Sequence, residues 1–268
     1  MIVLQPLTPD PRAILARAHP VPKIAAALVL MLALFLTVDV VTSAVVLGGL
    51  LAAIPLTGLP RRPLVRRIAP LAAAAVGIAL FNTVLAPAPA GETLLVVGSV
   101  RVTDQSLLGG IAAALRLVAI ALSGVLVVAT IDPTDLADAL VEHLHAPPRF
   151  VLGALAAWRL APIFGQQWWV LGLARRARGL ETERDPLGRV RGFAGRTFGL
   201  LVGAIRRGTE LALAMDARGF GRRPCRTLAR PRPIRAGDWA VLAAALALAV
   251  AATMMSLALG AWRPLLGR

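Results

Sequence analysis

Two nine-residue stretches hold the most specific chemistry in the chain. Leu171-Gly-Leu-Ala-Arg-Arg-Ala-Arg-Gly179 recurs forty positions later as Leu211-Ala-Leu-Ala-Met-Asp-Ala-Arg-Gly219, so both copies read L-x-L-A-x-x-A-R-G. On a helix, Ala174 and Ala177 flank Arg178, Ala214 and Ala217 flank Arg218, and Gly179 and Gly219 fall just beyond the helix end. Arginine there meets the negative end of the helix dipole. Its planar fork suits carboxylates or backbone carbonyls on a partner. A single Arg-Gly pair is an ordinary helix terminus. Two copies with slim alanine flanks describe two tips for two grooves, hence a dimeric or pseudo-symmetric partner.

A second constellation is acidic. Asp132, Asp135 and Asp138 stand at i, i+3 and i+6, the arrangement of an Asp-rich magnesium–diphosphate site in membrane prenyltransferases. The plainer account is stronger: Asp132 is a good N-cap, Pro133 suits the first helical position, and Asp135 completes something like a capping box. Such an enzyme would also want a second acidic cluster, for which Glu181, Glu183 and Asp185 are a poor substitute. His143 and His145, two apart, leave a helix on different faces and read as surface residues. No Gly-x4-Gly-Lys-Ser/Thr loop occurs, so no ATP hydrolysis is expected of this chain. One cysteine, Cys225, excludes an internal disulfide, and no metal site or cofactor is expected.

The elements that must present these residues are membrane helices. Of 268 residues 57% are hydrophobic, and mean hydropathy is +0.74, above soluble domains. A crossing needs about 20 apolar residues. Ile24–Val38 and Val40–Leu59, split by Asp39, read as a helical hairpin; Ile68–Ala86, Leu107–Ile131 and Trp239–Leu259 are three further spans. The Pro/Ala segment 86–91 breaks the chain after the third, and Thr93–Thr103 suggests a short hairpin or lid. The amino terminus has no apolar h-region, so no cleaved signal peptide is expected.

Net charge is +15, and basic loops beside apolar spans serve as topology signals rather than a nucleic-acid surface. Arg12, Arg17 and Lys23 precede the first span, Arg61, Arg62, Arg66 and Arg67 lie between the second and third, and 131–237 holds eighteen arginines. The positive-inside rule then puts the amino terminus in the cytoplasm. Phe150–Leu173 is apolar but carries Arg159, at a cost of about 2.5–3.5 kcal/mol, and Pro162; it reads as an interfacial helix kinked at the proline. Leu187, Val190, Ala194, Phe198, Leu201 and Ile205 form a helical stripe suited to the bilayer or to another long helix. Trp158, Trp168, Trp169, Trp239 and Trp262 suit interfacial anchoring, and Gly48, Gly49, Ala52 and Ala53 permit close helix contact. Arg116, inside the fourth span, leaves three placements open: toward a partner, into a polar pocket, or snorkelled to an interface.

The paired Ala-Arg-Gly motifs resemble those of the transmembrane (T) component of energy-coupling factor transporters. Asp132-Pro-Thr-Asp-Leu136 is similar to that family's segment leading into its coupling helices, and Arg159-Leu-Ala-Pro162 to its Arg-x-x-Pro element. Arg175-Arg176 makes the first motif more basic than the family pattern. The resemblance implies an all-α polytopic protein of about five transmembrane helices with a cytoplasmic module of long amphipathic coupling helices. The expected division is 1–131 for four spans, 132–237 for the coupling module and 238–268 for the last span. Also implied are two ATP-binding-cassette ATPases, each gripping one tip through Ala174, Ala177, Arg178 and Gly179 or Ala214, Ala217, Arg218 and Gly219. Asp132, Pro133, Arg159 and Pro162 would be structural. A separate substrate-binding (S) protein would sit in the cell membrane beside this non-catalytic subunit, and its cargo would be a vitamin or a transition-metal ion. The alternatives are the prenyltransferase-like enzyme and a self-sufficient permease; the latter is weakened by few paired charges in the spans.

Overall fold

In the computed structural model, the described residues are 13–85, 92–97, 100–180, 186–220 and 233–262. The residues through Arg12, the break at 86–91, the acidic run 181–185 and Cys225 lie outside them. The chain divides into two compact units, one formed by Ala137–Pro231 and the other by Ile2–Leu136 with Arg232–Arg268.

The second unit holds the apolar helices. A short α1 (Ile14–Arg17) leads into α2 (Pro20–Leu36), α3 (Val40–Thr57), α4 (Arg61–Val84), α5 (Asp104–Thr130) and α9 (Ala236–Ala258). The last four are long and apolar enough to cross a membrane, and α2 is a shorter apolar helix of 17 residues. The protein is therefore an all-α polytopic membrane protein apart from one hairpin. Asp39 separates α2 from α3 by capping, its carboxylate accepting the Thr42 N–H at 2.8 Å. The helix α4 begins earlier than its apolar run. Arg61, Arg62, Arg66 and Arg67 are good helix formers that continue the span's helix instead of forming a loop, with buried Leu64 between them.

Helix α5 packs against α2, α3 and α4, and α9 against α2 and α3. Leu30 and Leu34, Val46 and Leu50, Ala119, Leu122 and Leu126, and Ala245, Ala249 and Ala252 meet at helical spacing to form the core. Small residues set the closest approaches. A Cβ on Gly110 would stand 2.6 Å from the Ala79 carbonyl, and one on Gly49 would stand 2.5 Å from Leu248, whereas Gly48 faces open space. Leu80, Phe81 and Met254 point outward, as spans in lipid require.

Arg116 reaches the end of a neighbouring helix. Its Nη2 donates to the Phe35 carbonyl at 2.8 Å, and the guanidinium lies 5.7 Å from the centre of the same residue's ring. Phe35 is in the last turn of α2, where carbonyls have no partner within the helix, so the arginine caps that end. The expected hairpin is present as β1 (Thr93–Val97) antiparallel to β2 (Val100–Thr103), pairing Thr93 with Thr103 and Val97 with Val100. Thr103 then caps α5 in a box with Ser106.

The first unit contains two long helices, α7 (Pro148–Ala177) and α8 (Pro186–Ala217), preceded by α6 (Pro133–His143), which straddles the boundary. Asp132 starts α6, its Oδ1 accepting the Thr134 N–H at 2.7 Å. Pro133 is the first helical residue. His143 ends α6, while His145 lies beyond it with φ of +52°, and both are exposed.

Candidate functional site: two matching helix tips

Both repeats end a helix with the same turn. After α7, Gly179 has φ of +68° and its N–H donates to the Arg176 carbonyl at 2.9 Å, while the Leu180 N–H reaches Arg175 at 3.1 Å. After α8, Gly219 has φ of +70°, donates to Asp216 at 2.9 Å, and Phe220 donates to Met215 at 3.0 Å. This pair of bonds is the Schellman closure, which needs the left-handed residue that glycine supplies. Arg178 and Arg218 thus each occupy the cap position at the carboxyl end of a long helix. Ala174, Ala177, Arg178 and Gly179 are exposed, as are Ala214, Ala217 and Arg218, with Gly219 half-buried. Neither guanidinium has a hydrogen bond or ion pair to another described residue.

The unshared positions of the repeat explain themselves by where they point. Arg175 and Met215 occupy the same place in the two copies, and each is directed at the other long helix. The Arg175 guanidinium lies where a Cβ on Gly195 would come within 2.7 Å of it. Met215 and Asp216 instead line a cleft of about 430 Å³ with Arg149, Gly153, Phe164 and Phe220. The shared alanines and arginines at 174, 177, 178, 214, 217 and 218 are exposed, whereas the shared Leu171 and Leu211 face the other long helix.

The two helices run antiparallel and cross at glycines. Gly172 of α7 and Gly192 of α8 are buried, a Cβ on Gly172 would meet Arg196 at 3.0 Å, and one on Gly199 would meet Leu171 at 3.7 Å. Arg196 stacks on Trp168 at 5.6 Å, and Trp168 meets the edge of Phe193 at 5.1 Å. Further along, Arg207 donates to Gln167 Oε1 at 3.1 Å and covers the Phe164 ring at 5.6 Å. Trp168 is therefore a joint residue of the crossing. Sequence reading misses this joint. Its signal is the glycine spacing at 192, 195 and 199, which puts small residues on one side of α8.

Beyond the crossing, roughly 35 Å of α8 carries the second tip away from the first, at 1.5 Å per residue from Gly195 to Arg218. The stripe of α8 lies on the face opposite the crossing: Val190, Phe198 and Ile205 are 69%, 67% and 62% exposed. The other long helix does not cover it. Arg159 is exposed on α7, and Pro162 lies inside that helix, which continues to Ala177; the proline removes one donor without ending the helix. Asp132 and Pro133 start α6.

Residues 11–227 match the sequence model of a family described as the cobalt transport protein CbiQ. The energy-coupling factor transporter transmembrane protein EcfT of Heliobacterium modesticaldum is 30% identical over 239 residues, 85% of this chain and 88% of that protein. The protein of the same name from Leuconostoc gelidum subsp. gasicomitatum is 29% identical over 141 residues, 49% of this chain and 52% of that one. The match over most of the chain, both tips included, places it in one family: it belongs to the CbiQ/EcfT family of energy-coupling factor transporter transmembrane components.

Proposed function

We propose that this chain is the energy-coupling subunit of an ATP-driven importer. Two ATP-binding-cassette ATPases grip its tips at Arg178 and Arg218, and a separate substrate-binding protein sits against its membrane helices. The observation that carries this reading is the pair of matching, exposed, arginine-capped helix ends held apart by one crossed helix pair. Each tip offers a slim alanine face and a planar cation, which a groove lined by carboxylates or carbonyls accepts. Closure of the ATPase pair on nucleotide would bring its two grooves together. The crossing at Gly172, Gly192 and Gly195 would turn that approach into a change of angle between α7 and α8.

In this reading the chain is non-catalytic, Ala137–Pro231 is the cytoplasmic coupling module, and the amino terminus faces the cytoplasm. Cargo is a vitamin or a transition-metal ion; the cobalt in the matching family's description supports a metal among these. Selection of cargo rests with the partner protein.

The test is the double variant Arg178→Ala/Arg218→Ala, expressed with its ATPase and substrate-binding partners. Loss of a charge-assisted contact at both tips is expected to cut co-purification of the ATPases by about tenfold or more and to abolish uptake. The thermal midpoint of the isolated chain should stay unchanged, because neither side chain bonds to the described fold. Normal uptake with normal ATPase recovery would refute the coupling role.

A further inference from the structure

We infer that Lys23, with Asp238, is a positioning residue that clamps the end of the membrane bundle from which both connections to the coupling module depart. This inference rests on the coupling role proposed above and names where within the chain the motion is handed over.

Lys23 is the only lysine in the chain and is 3% exposed. As a flank charge ahead of a span it would be expected to point into water. Instead its Nζ donates to the Thr130 carbonyl at 3.0 Å and to the Ala16 carbonyl at 3.3 Å. Thr130 is the last residue of α5, so its carbonyl is among those left without a partner in the helix. The ammonium stands at the negative end of that helix's dipole. Ala16 belongs to α1, so one side chain joins α1, α2 and α5.

Asp238 does the complementary work on α9. Its Oδ1 accepts the His19 N–H at 3.0 Å and its Oδ2 accepts the Arg235 N–H at 2.8 Å. His19 is the N-cap of α2, with Nδ1 accepting the Val21 N–H at 3.3 Å, and it too is 3% exposed. Lys23 and Asp238 therefore bind the beginnings of α2 and α9 and the end of α5 at one level of the bundle.

The chain passes from Thr130 through 131–136 into the coupling unit, and it returns through residue 232 to Arg235. A pull on either connection acts directly on a carbonyl held by Lys23 or an N–H held by Asp238. The Lys23–Thr130 bond is buried and costly to break, so the start of α2 and the end of α5 move together, and the part-buried His19–Asp238 bond ties α9 to them. A bundle whose joined ends share the load can transmit a change of coupling-helix angle to the spans. A bundle with loose ends would absorb it.

The experiment uses the full complex in proteoliposomes and reads ATP hydrolysis and substrate uptake together. For Lys23→Met, complex recovery and ATPase rate should stay within about twofold of the wild type. Uptake per ATP should fall by about tenfold, the scale of one buried charge-assisted hydrogen bond. Lys23→Arg, which keeps a cationic donor, should restore part of it. Uptake and hydrolysis falling in proportion, or neither changing, would overturn the proposal. If Lys23→Met fails to assemble, Asp238→Asn decides. Uncoupling in an assembled complex supports the clamp, and normal coupling or failed assembly there overturns it. Failure of the coupling-subunit reading itself is distinguishable, since the wild-type complex would then show no ATP-driven uptake at all, and the clamp would fall with it.

Discussion

Gly179 and Gly219 show how much a single backbone angle contributes to each tip. With φ near +70° at both, any side chain meets the steric cost of the left-handed region, about 1–2 kcal/mol per residue. Nothing else opposes a Cβ there, because no heavy atom lies within 4 Å of either added position. The double variant Gly179→Ala/Gly219→Ala should therefore leave the bundle intact but fray both closures and misdirect Arg178 and Arg218. ATPase affinity measured by titration is expected to fall by about tenfold, following that strain. Gly203→Ala, within α8 and also open, should leave affinity unchanged and make the helix slightly more stable. Equal behaviour of the two variants would show that the tip geometry is irrelevant to binding. These tips are legible in sequence because glycine, arginine and alanine there answer to local rules of helix ending. Lys23 is not legible in the same way. A lysine before an apolar run reads as loop charge, and only the fold places it under the end of α5.

At the scale of elements, apolar period and length give the spans, and tertiary contact decides where they end. Helix α4 gains about two turns because Pro60 provides the start and buried Leu64 ties its arginine-rich beginning to the bundle. The order of the helices is not readable in the same way, since alanine-rich spans offer many equivalent small faces. Gly109 and Gly110 illustrate this: adjacent and identical in type, they have opposite surroundings. A Cβ on Gly110 would meet the Ala79 carbonyl and the Thr83 hydroxyl of α4, and a backbone cannot yield as a side chain can. One on Gly109 would meet nothing. Gly110→Ala is expected to lower stability in detergent by about 1–3 kcal/mol, the usual cost of overpacking. Gly109→Ala should be neutral or stabilising by helix propensity. Matched thermal melts of the purified variants check both, and a neutral Gly110→Ala would mean that α4 and α5 do not approach at that level. The α7–α8 joint follows the same rule, its partners becoming visible only when Trp168, Phe193 and Arg196 are seen together.

On the whole-molecule scale, the coupling role requires both tips on one side of the bilayer and the hairpin on the other. Charge supports that arrangement: residues 131–237 carry eighteen arginines, whereas the hairpin region holds little beyond Glu92, Arg101 and Asp104. Moving so many cations outward would be opposed by the insertion machinery and by the membrane potential, about 2.3 kcal/mol per charge per 100 mV. The chain's single cysteine, Cys225, makes sidedness directly measurable. In a Cys225→Ser background, one cysteine is introduced at exposed Ala177, at exposed Ala217, or at exposed Glu92 on the hairpin. With right-side-out cells and a membrane-impermeant maleimide, Glu92→Cys should label, while Ala177→Cys and Ala217→Cys should label only after the membrane is opened. Adding the ATPases should then protect Ala177→Cys and Ala217→Cys together, because one dimer must hold both ends of a crossed pair at once. Labelling of either tip from outside would place it beyond the reach of any cytoplasmic ATPase. Protection of one tip without the other would break the link between two grooves and two arginines.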